Sequence, residues 1–261
     1  MLCSKMRSHM LMDDTEIIKK DKGDRFYSMI WIDGVIVTTF ARIHEAFIVR
    51  VAGDCAVPLI GNVFTSPTGD VPTPEWQVAG KSILVGLIME PAEFLNYNDY
   101  VTLEAKEGLK NEMINLLKRL HEKYEIIHGN VTPYSFMRWN GELRFIRFLG
   151  SRLFNEGVEN YSGERNMYYL SPNNTHKEYP DNGYMKYDFP IDPIDDWYAL
   201  ALVVYELYAG YKPLTIEGRN LVDSLQNRKM PDLRPIEDEA TRNWMLDIFQ
   251  KGGALIDTAT V

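Results

Sequence analysis

Cysteine is nearly absent: of 261 residues only Cys3 and Cys55 carry a thiol. Two thiols cannot build a disulfide framework, so a reducing compartment is the expectation. Long apolar runs are also missing. The longest, WYALALVVYELYAGY (Trp197–Tyr211), contains Glu206 and falls short of the roughly 20 residues that cross a bilayer, which predicts no membrane span. Positive charge is scarce, with 28 Lys and Arg against 37 Asp and Glu, a net charge of −9 and a pI near 5.1. That balance argues against a nucleic-acid binder, whose footprint is basic. The opening MLCSKMRSHMLMDDTE has no sustained apolar core and turns acidic, so it is read as a flexible N-terminus (1–15), not a secretory signal, and the chain as cytoplasmic. In that setting the N-x-[ST] triplets at Asn130, Asn160 and Asn173 read as chance. No internal repeat or low-complexity tail is visible. What is present, 45% hydrophobic and 25% charged residues, is the composition of a globular protein of one two-lobed domain or two small ones.

The pattern along the chain changes near residue 92. In EIIKKDKGDRFYSMIWIDGVIVTTF, two turn signals, Lys22-Gly23-Asp24 and Asp33-Gly34, separate runs rich in β-branched and aromatic residues. ARIHEAFIVRVAG (Ala41–Gly53) places Ile43, Phe47 and Val51 at helical spacing and closes on glycine. AVPLIGNVF and KSILVGLIMEP predict two further strands around a Pro/Thr/Gly-rich loop, Ser66–Pro74. Beyond Ala92 the reading is helical. EGLKNEMINLLKRLHEKY (Glu107–Tyr124) is amphipathic, with Leu109, Met113, Leu116, Leu117, Leu120 and Tyr124 on one side. A turn-rich, tyrosine-rich segment (150–195) precedes helices at about 195–209 and 236–251.

Four blocks give this layout a likeness. LLKRLHEKYEIIHGNVTPYSFM resembles the end of a protein-kinase αE helix and the catalytic loop H-R-D-x-x-x-x-N. YYLSPN resembles the A-P-E close of an activation segment. DDWYALALVVYELYAGYKPL resembles the αF signature that opens on Asp-x-Trp. LIMEPAEF resembles the fifth strand and hinge, with Met89 as gatekeeper and Glu90 opening the hinge. Order and spacing fit from about residue 16 to 251, and the wording is especially similar to kinase-like proteins of filamentous fungi that read H-G-D. The resemblance implies an α+β, bilobal protein-kinase-like fold: a small antiparallel β-rich N-lobe with one helix (16–91) and a larger, mainly helical C-lobe (92–261), together one domain.

A kinase transfers phosphoryl groups by positioning and charge neutralisation, so particular side chains are indispensable. Against that pattern, the loop aspartate is Asn130, which cannot take a proton from a hydroxyl. The following lysine is Thr132, the metal-binding asparagine is Ser135, and D-F-G reads Arg147-Phe148-Leu149. Magnesium beside a guanidinium would lack the carboxylates it prefers. The third-strand lysine falls near Thr38, where no lysine stands, and the glycine-rich phosphate cover is reduced to Gly23. Glu45 holds the αC glutamate place without its lysine. The resemblance therefore implies a pseudokinase: no intact catalytic set (degenerate positions His128, Asn130, Thr132, Ser135 and Arg147), no metal, and no cofactor beyond weak, magnesium-free ATP. A remnant nucleotide pocket would draw on Thr38, Glu45, Met89, Glu90, Ala92 and Arg147.

The retained residues are scaffold. His128 is read as a packed structural histidine, not a general base. Phe148 completes its stack, Trp197 belongs to the αF block, and Asp195 is read as the aspartate that ties the catalytic-loop backbone, in preference to a metal pair with Asp196. Arg147 is expected to pair with Glu45, with phosphate binding as the alternative. The tyrosines of 161–187 are read as packing or surface residues, with phosphorylation as the alternative. The expected function is protein contact, as scaffold or allosteric regulator in signalling, through the aromatic, proline-containing stretch 173–194. An atypical active Ser/Thr or small-molecule phosphotransferase, or a metal-independent nucleotide-binding module, are the alternatives.

Overall fold

The computed structural model describes residues 29–32, 35–39, 43–65, 83–156, 167–174, 191–212 and 228–255. It is mixed α+β, with four helices and small antiparallel sheets among the described residues. The chain divides into two units, Met1–Arg50 with Pro58–Ala92, and Val51–Val57 with Glu93–Val261.

The first unit contains a four-stranded sheet of order β1-β2-β4-β3, all neighbours antiparallel: β1 (Met29–Ile32), β2 (Val35–Thr39), β3 (Leu59–Thr65) and β4 (Ile83–Met89). Ile32 pairs with Val35, so the Asp33-Gly34 signal falls at a two-residue hairpin connection. The other expected turn, at Lys22–Asp24, lies outside the described residues, as does the Ser66–Pro74 loop. Helix α1 (Ile43–Val51) forms where its periodicity predicts, but its buried face differs. Phe47 is 48% exposed, whereas Glu45, Ala46, Ile48 and Val49 are buried. Phe47, the middle residue of the Ile43/Phe47/Val51 spacing, is therefore not core-facing. With apolar residues at six of nine positions around α1, spacing alone could not choose the face.

Among the described residues the second unit has three long helices. α2 (Leu103–Tyr124) begins where Thr102 Oγ1 accepts the Ala105 N–H at 3.1 Å and ends on Glu125 in the left-handed region (φ 51°). Leu109, Met113, Leu116, Leu117 and Leu120 are buried as one stripe, as the periodicity predicts. α3 (Pro193–Ala209) is the helix that is apolar nearly all round, with Tyr198–Tyr205 wholly buried. α4 (Glu239–Lys251) is capped by Asp238 and lays Phe249 against Tyr198, ring centroids 5.0 Å apart.

This unit also carries strands that the helical reading of the segment beyond Ala92 passed over. β5 (Glu93–Phe94), β7 (Phe136–Trp139) and β8 (Glu142–Phe145) form one sheet; β6 (Ile126–Ile127) and β9 (Arg152–Leu153) form another. At two to four residues each, they are too short for a period of two to register. Their role is positional: β6–β9 pairing fixes both ends of the segment 128–151, and β7–β8 folds its middle into a hairpin.

Candidate functional site

The site expected from the sequence is the loop between β6 and β7 and the turn after β8. All of it lies in the second unit. Its backbone is fixed first by Gly129. That residue sits at φ +73°, and a Cβ there would meet the carbonyl oxygen of Gly150. Only glycine fits both the conformation and the close approach. From the far side, Ser151 Oγ donates to the His128 carbonyl at 2.6 Å.

His128 is fully buried, its ring 4.7 Å from that of Phe145 and 4.9 Å from that of Phe148. Nε2 lies 2.9 Å from the Ile146 carbonyl oxygen, and Nδ1 accepts the Asn130 backbone N–H at 3.3 Å. These partners select one neutral tautomer, with the proton on Nε2. Burial drives the His128 pKa below its usual value, against the opposing pull of Asp196 and the Ile146 carbonyl. With both ring nitrogens engaged and no exposure, His128 cannot serve as a general base here.

The loop's backbone is tied to α3 by Asp196. Its carboxylate accepts the N–H of His128 at 2.6 Å and of Gly129 at 2.8 Å, and lies 3.0 Å from His121 Nε2. Burial pushes the Asp196 carboxyl pKa up, but the His121 hydrogen bond and the Gly129 amide help to outweigh it and hold it below the ordinary carboxylate value. Asp195, expected to tie the loop, does something else. Its Oδ1 accepts from Ser171 Oγ at 2.5 Å and its Oδ2 from the Asp192 N–H at 2.8 Å, completing the α3 capping box. The clamp is thus one residue later than the Asp-x-Trp spacing suggests. One residue is 100° of helix, enough to turn a carboxylate from the cap to the loop. Trp197 stands edge-on to His121, centroids 5.9 Å apart.

Thr132 and Ser135 close the loop on itself around a single turn, Pro133–Ser135. Ser135 Oγ donates to the Asn130 carbonyl at 2.7 Å, accepts the Thr132 N–H at 3.0 Å, and lies 3.0 Å from Thr132 Oγ1. A hydroxyl has one proton and two lone pairs, and these three contacts use them all. Ser135 is wholly buried, so it has no lone pair to offer a metal. The half-buried Asn130 lines a small cleft with Val131, Leu170, Ser171 and Asp195.

Arg147 sits where a metal-binding carboxylate was sought. It adopts φ 64°, ψ 54°, an uncommon conformation for a non-glycine residue, and its guanidinium lies 5.7 Å from the centroid of the Tyr134 ring. Tyr134 is itself 60% exposed. Among the described residues there is no group of three or more His, Cys, Asp or Glu side chains placed to hold a metal ion.

The remaining residues of the expected nucleotide pocket lie in the first unit. Thr38 is in β2 opposite Leu87, and Met89 closes β4, buried, opposite Ile36 and Leu59. The Glu90 N–H donates to the Pro58 carbonyl at 2.9 Å, Ala92 is buried, and Glu45 is buried in α1. Arg147 belongs to the second unit, so the residues assigned to that pocket come from both.

The sequence reading passed over a further polar cluster. Tyr169 Oη donates to Glu206 Oε1 at 2.5 Å, and Lys212 Nζ lies 5.9 Å from the Tyr169 ring centroid. Burial raises the Glu206 carboxyl pKa, and the Tyr169 hydroxyl pulls it partly back. The one signal for it was the charged residue inside an otherwise apolar helix.

No protein-family model and no curated protein matches the chain.

Proposed function

We propose that the chain is a protein-kinase-fold protein that does not transfer phosphate and acts through contacts with other proteins. The observation that supports this most directly is the use to which the loop's polar groups are put. His128, Thr132 and Ser135 donate and accept within the loop and the strands around it, and Asp196 holds the loop's amides. Asn130 and Arg147 supply no carboxylate for a proton or a magnesium ion. A loop of catalytic outline, held rigid by its own side chains, is a shape and not a reaction centre. The stretch 173–194, named from the sequence as a contact surface, lies largely outside the described residues.

A second reading, a nucleotide module that needs no metal, rests on Arg147, the cation in the turn after β8. A thermal-shift titration separates the readings, because a ligand that binds the native state raises its stability by mass action. Nucleotide at 100 times its dissociation constant adds about 2.7 kcal/mol. For a chain of this size that is a rise of roughly 5–10 °C. The expected result is no shift with ATP, with or without magnesium, and no radiolabel transfer to the chain or to generic protein substrates. A magnesium-dependent shift with transfer overturns the proposal; a magnesium-independent shift favours the second reading.

A further inference from the structure

The entry to the second unit, residues 93–107, exposes apolar side chains in an unusual concentration. Val101 is 77% exposed, Leu103 54% and Phe94 46%. Single exposed apolar residues are ordinary on any protein, but three within ten residues of chain are a local concentration.

The segment that carries them is not loose. Glu93 pairs with Arg138 across β5–β7, and the Arg138 guanidinium takes the Tyr100 hydroxyl at 3.2 Å, so both ends of the 93–100 loop are held on one residue. Within it, Asn96 Nδ2 donates to Asp99 Oδ1 at 2.8 Å and Tyr97 Oη donates to the Pro133 carbonyl at 2.9 Å. Thr102 then caps α2 directly. The polar groups fix the backbone, and the apolar side chains are left in water by a framework that has no slack to bury them. A pre-formed surface of this kind loses little entropy when a partner covers it.

The charge around the patch selects the partner. Residues 93–109 contain four exposed carboxylates, Glu93, Asp99, Glu104 and Glu107, and a single base, Lys106. Lys106 turns inward, its Nζ 3.0 Å from the Tyr208 carbonyl oxygen and 5.8 Å from the Tyr208 ring centroid. The acidic rim has the sign of the whole chain, whose net charge is −9. A second copy would bring acid against acid, and so would an anionic membrane. A basic segment with one apolar face meets both the rim and the patch.

We propose that Phe94, Val101 and Leu103, with the exposed Glu93, Asp99, Glu104 and Glu107 of the same segment, form a docking surface for a basic amphipathic segment of a partner protein. This rests on the reading of the chain as a protein-contact module and names the chemistry of the contact.

The test uses the full chain and a fluorescein-labelled Leu/Lys peptide of helical period, followed by anisotropy. Controls are the same peptide with Glu for Lys, and the same composition in scrambled order. The expected result is saturable binding of the Leu/Lys peptide only. It should weaken about tenfold or more in V101S/L103S and in E104Q/E107Q, and weaken with added salt. These are surface substitutions, so an unchanged melting temperature accompanies the loss. Equal binding to all three peptides, or binding unaffected by V101S/L103S, overturns the proposal. So does concentration-dependent dimerisation of the chain that V101S/L103S abolishes, or co-sedimentation with phosphatidylserine vesicles that the same variant abolishes. Phosphoryl transfer in the separate nucleotide assay would remove the non-catalytic reading while leaving the peptide result standing.

Discussion

Replacing Asp196 by alanine should destabilise the chain far more than replacing its neighbour Asp195. Asp196 is 1% exposed, and its loss strands two buried backbone amides, those of His128 and Gly129, along with His121. Hydrogen bonds to a charged acceptor contribute about 1.5–3 kcal/mol each, so the two amides together amount to roughly 3–6 kcal/mol. Relief of the carboxylate's own desolvation offsets part of this, which leaves about 3–4 kcal/mol for D196A. Asp195 supports a capping N–H and the Ser171 hydroxyl, so D195A should cost about 1–2 kcal/mol. Urea unfolding followed by far-UV circular dichroism measures both, provided the slopes with denaturant match the parent. Amide hydrogen exchange supplies a local readout: the His128 and Gly129 amides should lose protection in D196A and keep it in D195A. If D195A costs as much as D196A, or if it is D195A that exposes those amides, the clamp belongs to Asp195 and the assignment made from the geometry is wrong.

Two further outcomes follow from the same loop. Gly129→Ala should lower stability by at least the roughly 1–2 kcal/mol of a left-handed L-residue, with the clash against the Gly150 carbonyl added to it, whereas Gly141→Ala, at φ +81° with open space around it, should show the backbone part alone; thermal unfolding of the pair isolates the clash. Acid should also weaken the fold. Because the folded-state pKa of His128 is depressed, the unfolded chain binds more protons, so stability is full above about pH 6.5 and falls as pH drops below it, by up to about 1.4 kcal/mol per pH unit. Asp196, also depressed, adds its loss only as pH falls below the ordinary carboxylate value toward its folded pKa. Urea midpoints between pH 7 and 5 should therefore decline in the parent and decline less in H128N; parallel pH profiles would refute the buried neutral histidine.

Much of this architecture is legible in the chain itself. The α2 and α3 patterns are long and regular, and the hairpin at Asp33-Gly34 follows from its turn chemistry. The α1 face was illegible because a short helix apolar on most sides leaves the choice to its neighbours. The strands β5–β9 were illegible because pairing over two to four residues leaves no period. The site divides the same way. That Asn130, Thr132, Ser135 and Arg147 depart from the kinase pattern the loop resembles is a matter of residue type, which is read directly from the chain. That Asp196 and not Asp195 holds the loop depends on helix rotation, and a pair of adjacent aspartates conceals it. The Tyr169–Glu206 bond joins residues 37 apart, beyond the reach of any local pattern.

The hydroxyl of Ser135 bears on how such a chain can change over time. In the active pattern this position carries an amide that reaches outward to a metal. Here the side chain is sealed inside its own turn, with its proton and both lone pairs committed and no surface exposed. A substitution of Ser135 by asparagine would insert a larger group into a filled space and undo three contacts at once, before any ion was present to compensate. The same holds for an aspartate at 147, which would lose the guanidinium now resting on Tyr134 while Asn130 still offered no base. On the proposed reading, each step toward the catalytic pattern is uphill on its own, so the packing of this turn resists acquiring that pattern one residue at a time.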